Sequence, residues 1–224
     1  MTRFFTETLL IFVQKTRLMS AAAATQSAVR TLASSPAAPP KRISWADFQR
    51  KYLSREDEYK YEWVEGSVEK TRRNMDQKQY FILLNLRRLF QFLTEKKAVD
   101  GGLEAEIDTF FMDAVHRRPD VSYFSAKQEN RMACGEQQVP EFVIEIISSN
   151  DQVNRLVKKM QNYRDAGVRV VWQIYPEQRE VHVYSSEGLM EMTICKGQRI
   201  CSASPVLPDF QLTADALFQL PEGA

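Results

Sequence analysis

The sequence predicts an α/β (α+β) fold, a central mixed β-sheet flanked by helices, and three stretches carry that prediction. "EFVIEII" (141–147) is apolar on both faces, as a strand in the middle of a covered sheet must be. "DQKQYFILLNLRRLFQFLTEKK" (76–97) repeats Phe81, Leu84, Leu86, Leu89, Phe90 and Leu93 at helical spacing, with Lys78, Arg87, Arg88, Lys96 and Lys97 on the other face. "NDQVNRLVKKMQNYRDAG" (150–167) is a second helix, closed by Gly167 and followed at once by the strand "VRVVWQIY" (168–175).

The remaining elements follow from local signals. Ordered sequence begins near "ISWADFQRKYL" (43–53), where Ser44 caps a helix carrying Trp45, Phe48 and Tyr52. "YKYEWVEGSVEKT" (59–71) alternates as a hairpin broken at Gly66. Gly101-Gly102 ends the long helix, and the strands "LEAEIDTFFM" (103–112) and "DVSYF" (120–124) follow. After residue 175, "EVHVYSS" (180–186) and "LMEMTIC" (189–195) form a hairpin about Glu187-Gly188. The expected whole is a single mixed sheet with helices packed on it.

The chain has 224 residues, 44% of them hydrophobic, enough for one core. Charge divides it. Residues 1–42 hold six basic residues against the acid Glu7, and the Ala-, Ser- and Pro-rich run within them reads as a flexible leader. That composition also suits an organellar transit peptide, and Met19 offers a second start of translation. Residues 43–220 form the domain and 221–224 a tail. Residues 43–224 carry 24 basic and 28 acidic groups, which excludes a globally basic nucleic-acid binder and leaves only a local or metal-assisted polyanion site. Three cysteines without CxxC spacing and two distant histidines argue against zinc and a disulfide framework, and fit a reducing, cytoplasmic setting. The apolar run Leu9–Val13 is too short to span a membrane.

Two acids stand where strands would rather not have them. Asp120 follows Pro119 at the entry of a strand, as a turn cap or as a metal ligand. Glu145 lies inside an apolar strand, where an ionised carboxylate needs a cation or donors beside it. An ion pair with a base of the next helix would serve. On that helix Val153, Leu156, Val157, Met160, Tyr163 and Gly167 form the expected inward stripe. Lys158 falls opposite it and Lys159 on its flank, near Tyr163.

These residues carry a resemblance. Arg118-Pro119-Asp120, Glu145-Ile146-Ile147-Ser148, Lys159 to Tyr163, Gly167-Val168 to Trp172, and upstream Tyr61, Glu62 and Gly66 resemble the motifs of the Uma-type restriction endonuclease family. That family is a branch of the PD-(D/E)XK nuclease superfamily, and the similarity runs from about residue 43 to 220. It implies a restriction-endonuclease-like core. The superfamily's usual lysine position holds Ile147, so the resemblance moves the amine to Lys159. Arg155 replaces a family acid, and Gln79 stands near the place of a histidine.

The implied activity is metal-dependent endonucleolytic cleavage of DNA, by a homodimer on a duplex, with no membrane partner. Mg²⁺ (or Mn²⁺) is commonly held by one or two carboxylates plus phosphate oxygens, and Asp120 and Glu145 supply that number. Lys159 would orient or deprotonate water. Glu62 would be an extra metal or water ligand, or an ion-pair partner in the hairpin. Tyr163 would pack and orient Lys159. Arg72, Arg73, Arg117 and Arg118 would contact phosphates or remain solvated surface arginines. The departures at Arg155 and Gln79 leave a second reading open, a nuclease fold that binds nucleic acid or a protein partner without cutting. Unrelated acid–base chemistry is a third reading, but no second polar cluster suggests a small-molecule pocket for it.

Overall fold

Ser44 opens the first helix by accepting a hydrogen bond from the Asp47 N–H, and α1 (Trp45–Phe48) continues through one wider turn, Gln49–Leu53. The structure is a computed structural model and describes residues 42–73, 76–148 and 153–221. Apart from Arg42, the leader read over 1–42 lies outside the described residues, as does the tail beyond Pro221.

The hairpin forms as its alternation predicts. β1 (Tyr59–Val64) pairs with β2 (Ser67–Arg72) around Glu65 and Gly66, both at positive φ, the backbone a two-residue hairpin turn requires. The stretch expected as one strand over 103–112 is two strands. β3 (Gly102–Ala105) and β4 (Thr109–Met112) are separated at Glu106, whose φ is +52°. The bend carries the chain from one sheet to another. Beyond it lie β5 (Val115–Arg117), a three-residue strand too short to announce itself, and β6 (Val121–Phe124).

The long helix, α2 (Gln77–Glu95), is capped by Asp76. It buries Ile82, Leu83, Leu86 and Leu93, so its inward stripe is turned slightly from the expected one and leaves Phe81 and Leu84 half-buried. Nor does Gly101-Gly102 end it. Lys97 takes the left-handed position at φ +57° while the Ala98 N–H closes on the Leu93 carbonyl at 2.9 Å. Gly101 serves another purpose, because a Cβ there would lie 2.0 Å from the Phe124 carbonyl oxygen.

Downstream come α3 (Ala126–Ala133), β7 (Phe142–Ile146), α4 (Val153–Asp165), β8 (Val170–Tyr175), β9 (Glu180–Tyr184) and β10 (Met192–Lys196). The ribbon β11 (Ile200–Ala203) and β12 (Leu207–Thr213) and the short α5 (Ala214–Leu217) complete the described chain. α3 went unread in the sequence although Ser125 and Gln128 form a capping box there.

In place of a single sheet, the described strands make three. The large mixed sheet runs β10-β9-β8-β7-β6-β3, parallel only between β7 and β8, and a four-stranded antiparallel sheet runs β2-β1-β5-β4. The ribbon β11-β12 is the third. One face of the large sheet packs Phe142, Ile144 and Trp172 against Leu86, Phe210 and Leu217 from α2, the ribbon and α5. The other face puts Val143 and Val171 against Val64, Phe111 and Val115 of the smaller sheet, with Met160 and Tyr163 of α4. The candidate site lies in this second layer.

Candidate active site

β6 and β7 run antiparallel with Val121 opposite Ile144, so the entry of β6 and the exit of β7 lie at one end of the sheet. Asp120 and Glu145 therefore meet there. Asp120 bridges outward and inward: Oδ2 accepts from the Ile146 N–H at 2.7 Å, and Oδ1 accepts from Lys60 Nζ at 2.6 Å. Glu145 is buried, as its place in an apolar strand predicts, and Lys159 Nζ lies 3.0 Å from each of its oxygens. Tyr163 donates its hydroxyl proton to Glu145 Oε1.

The smaller sheet closes the layer. Lys60, Glu62 and Val64 alternate onto the face of β1 that meets the large sheet, a pattern of period two. Glu62 sits directly opposite Glu69 on β2, an arrangement that repels unless a cation joins them. Arg117 supplies it: Nη1 reaches Glu62 Oε2 at 2.9 Å and Glu69 Oε2 at 2.6 Å. Its remaining guanidinium nitrogens donate to Asn162 Oδ1 on α4 at 3.2 and 2.7 Å. Glu62 also accepts from the Arg118 N–H at 2.9 Å and lies 3.4 Å from Lys159 Nζ.

Packing this layer sets the rotation of α4. Val153 and Val157, expected inward, are 71% and 62% exposed, while Lys159, Met160, Asn162 and Tyr163 are buried. Two polar residues claim the inner face, Lys159 as a donor to the Glu145 carboxylate and Asn162 as an acceptor for the Arg117 guanidinium. Arg155, the residue in place of a family acid, donates to the Lys70 carbonyl and Thr71 Oγ1 and ties α4 to the hairpin.

The electrostatics follow from burial and neighbours. Burial pushes the Glu62 carboxyl up, but Lys159, Arg117, Lys60 and the Arg118 N–H outweigh it and hold the group at about 2. Glu145 moves the other way: burial raises it, and Asp120 and Glu62 add to that against Lys159 and Lys60. Burial also raises the Tyr163 hydroxyl, with Glu145 and Glu62 reinforcing it. For Lys60, burial alone would lower the amine. The charges of Asp120, Glu145 and Glu62 reverse that and raise it above the ordinary lysine value.

The structure thus brings together Asp120, Glu145, Lys159, Glu62 and Tyr163, and among the arginines it corrects Arg117. Arg117 is fully buried with every nitrogen engaged, so it meets no phosphate in this fold. Arg118 is turned to Asp108 at 2.8 Å. Arg72 and Arg73 remain at the surface, paired with Glu58 at 2.9 Å and Glu106 at 3.6 Å. Sequence reasoning missed Lys60, Glu69 and Asn162. The alternation of β1 already placed Lys60 on the face of Glu62 and was the available signal.

Among the described residues no three Asp, Glu, His or Cys side chains converge on a point that could hold a metal ion. Two oxygen donors on adjoining strands nevertheless suit a hard divalent ion completed by water and phosphate. Asp120, Glu145, Glu62 and Glu69 stand against Lys60, Lys159 and Arg117, which leaves the set with one negative charge.

Comparison with known proteins places the architecture. The family model Uma2, described as "Putative restriction endonuclease", matches residues 45–215. No curated protein matches the chain. A solved structure described as "a putative nuclease belonging to DUF820" from Anabaena variabilis is 18% identical, with a TM-score of 0.64 over 79% of this chain and 97% of that one. That likeness shows the fold. No helix among the described residues is long and apolar enough to cross a membrane.

Proposed function

Because the chain belongs to the Uma2 family of restriction-endonuclease-like proteins, we propose that it hydrolyses phosphodiester bonds in DNA, with Asp120 and Glu145 as the ligands of Mg²⁺ (or Mn²⁺). The observation that carries this reading is the meeting of these two carboxylates at one end of the sheet, with Lys159 on Glu145. The chemistry a divalent ion supplies in such a site is polarisation of the scissile phosphate and acidification of a nearby water.

The chain's own groups do the rest by position. The Ile146 N–H fixes Asp120 against the end of β7, and the Tyr163 hydroxyl fixes Glu145. Lys159 spans Glu145 and Glu62, where it orients water and offers positive charge to the phosphate. Glu62, held ionised by Lys159 and Arg117, keeps that lysine in place more than it binds metal. A homodimer would set two such sites on a duplex, a reading that rests on fold-level analogy.

A second reading is favoured by one observation: Lys60 and Lys159 already satisfy the two carboxylates. In that reading the fold binds nucleic acid or a protein partner without cutting. Plasmid nicking by the purified protein in Mg²⁺ or Mn²⁺ separates the two. Cleavage is expected for the wild type and is expected to vanish in Asp120→Ala and Glu145→Ala. Nicking that persists in both variants removes this site. DNA retention without nicking in either metal selects the non-cutting reading.

A further inference from the structure

We propose that Lys60 is the resident cation of Asp120, an ammonium that a divalent metal ion must displace before it can engage that carboxylate. The inference rests on the metal-binding reading above and adds to it a residue that controls metal entry.

Lys60 differs from the other two cations of the layer. Arg117 and Lys159 each join two carboxylates and are enclosed by them. Among the described residues Lys60 makes one ion pair, with Asp120 at 2.6 Å, while itself only 7% exposed. The Asp120 side chain is 24% exposed, so this pair lies at the rim of the layer, with solvent on one side. Oδ2 is committed to the Ile146 N–H, and Lys60 therefore sits on the oxygen of Asp120 that has no backbone partner. An ammonium is a compact, strongly hydrated point charge on a flexible stem, the protein group nearest in character to a hard metal ion.

The charge count points the same way. Four carboxylates against three cations leave one negative charge with Lys60 in place. Adding a divalent ion to that set turns the excess positive. Exchanging it for Lys60 leaves the layer neutral, the balance a buried set favours. The metal and the lysine are thus alternatives at Asp120.

The test is Mn²⁺ binding without DNA, followed by calorimetry or by the electron paramagnetic resonance of the free ion. Lys60→Met is expected to bind Mn²⁺ at least tenfold more tightly than the wild type, and Lys60→Arg, which keeps the charge, is not. A second measurement needs no variant. Reductive methylation of the wild type, read by mass spectrometry, is expected to leave Lys60 unmodified without Mn²⁺ and to modify it when Mn²⁺ is saturating. Equal or weaker binding by Lys60→Met overturns the proposal, and so does a Lys60 that stays unmodified with Mn²⁺ bound. Absence of Mn²⁺ binding in every variant is a different failure, because it removes the metal reading itself and this inference with it.

Discussion

Glu62 shows how far a single buried side chain can be held from its solution behaviour. Its carboxyl sits at about 2 rather than the ordinary 4.5, because Lys159, Arg117 and Lys60 favour the charged form more than burial disfavours it. A depressed carboxyl contributes stability that is complete above the unfolded value of 4.5 and is lost as pH falls from there towards 2. At 1.36 kcal/mol per pH unit the contribution at neutral pH is about 3 kcal/mol. Glu62→Gln is therefore expected to lose about 3 kcal/mol at pH 7 by urea unfolding, and distinctly less at pH 3. An equal loss at both values would show that the ionisation of Glu62 does not carry its contribution. The same reasoning marks the limit of residue-level reading. Glu145 could be recognised as anomalous because its own strand is apolar, whereas Lys60 looked like an ordinary lysine in an ordinary hairpin. Its burial comes from a sheet 60 residues away in sequence.

At the scale of elements, the patterns that depend on one segment were legible and those that depend on a partner were not. The Ser44 cap, the hairpin at Gly66, α2, and the strands β7 to β10 all follow from period and turn chemistry. The stripe of α4 departs from expectation because hydrophobicity alone favours Val153 and Val157, while the charges across the layer demand Lys159 as a donor to Glu145 and Asn162 as an acceptor for Arg117. The end of α2 departs from expectation for a related reason. Glycine is the usual residue in the left-handed position after a helix, yet Lys97 occupies it, and Gly101 answers to the carbonyl of Phe124 on another strand. These assignments predict opposite effects for two substitutions. Lys97→Gly relieves a side chain at φ +57° and is expected to stabilise by about 0.5–1 kcal/mol. Gly101→Ala places a Cβ 2.0 Å from a backbone oxygen at φ +71° and is expected to cost at least about 2 kcal/mol. Urea midpoints measure both. A neutral Gly101→Ala would mean that the backbone there moves freely.

At the scale of the molecule, two sheets face each other across a buried layer of charge, and under the proposed function the division of arginines between that layer and the surface sets how the chain would meet DNA. The sequence contains the charges but not their assignment, because Arg117 and Arg118 are neighbours and only the pairing of β5 with β1 decides which is enclosed. With more acidic than basic groups over residues 43–224, attraction to a duplex must come from a few surface cations. Each phosphate neutralised by an arginine contributes roughly 0.9 to the slope of log affinity against log salt. Arg72 and Arg73 are the surface candidates. The double variant Arg72→Ala/Arg73→Ala is expected to lower that slope by about 2 in fluorescence anisotropy titrations, run in chelator so that nothing is cut. Arg117→Met behaves differently. It leaves Glu62 and Glu69 facing each other and is expected to cost about 3–5 kcal/mol of stability, yet the protein that remains folded keeps the wild-type slope. A slope that drops in Arg117→Met and holds in the double variant would place the phosphate contacts inside the layer and reverse the assignment. The expected result makes Arg117 the clasp of the site, fixing Glu62 beneath Lys159, and leaves the hold on DNA to the exposed end of β2.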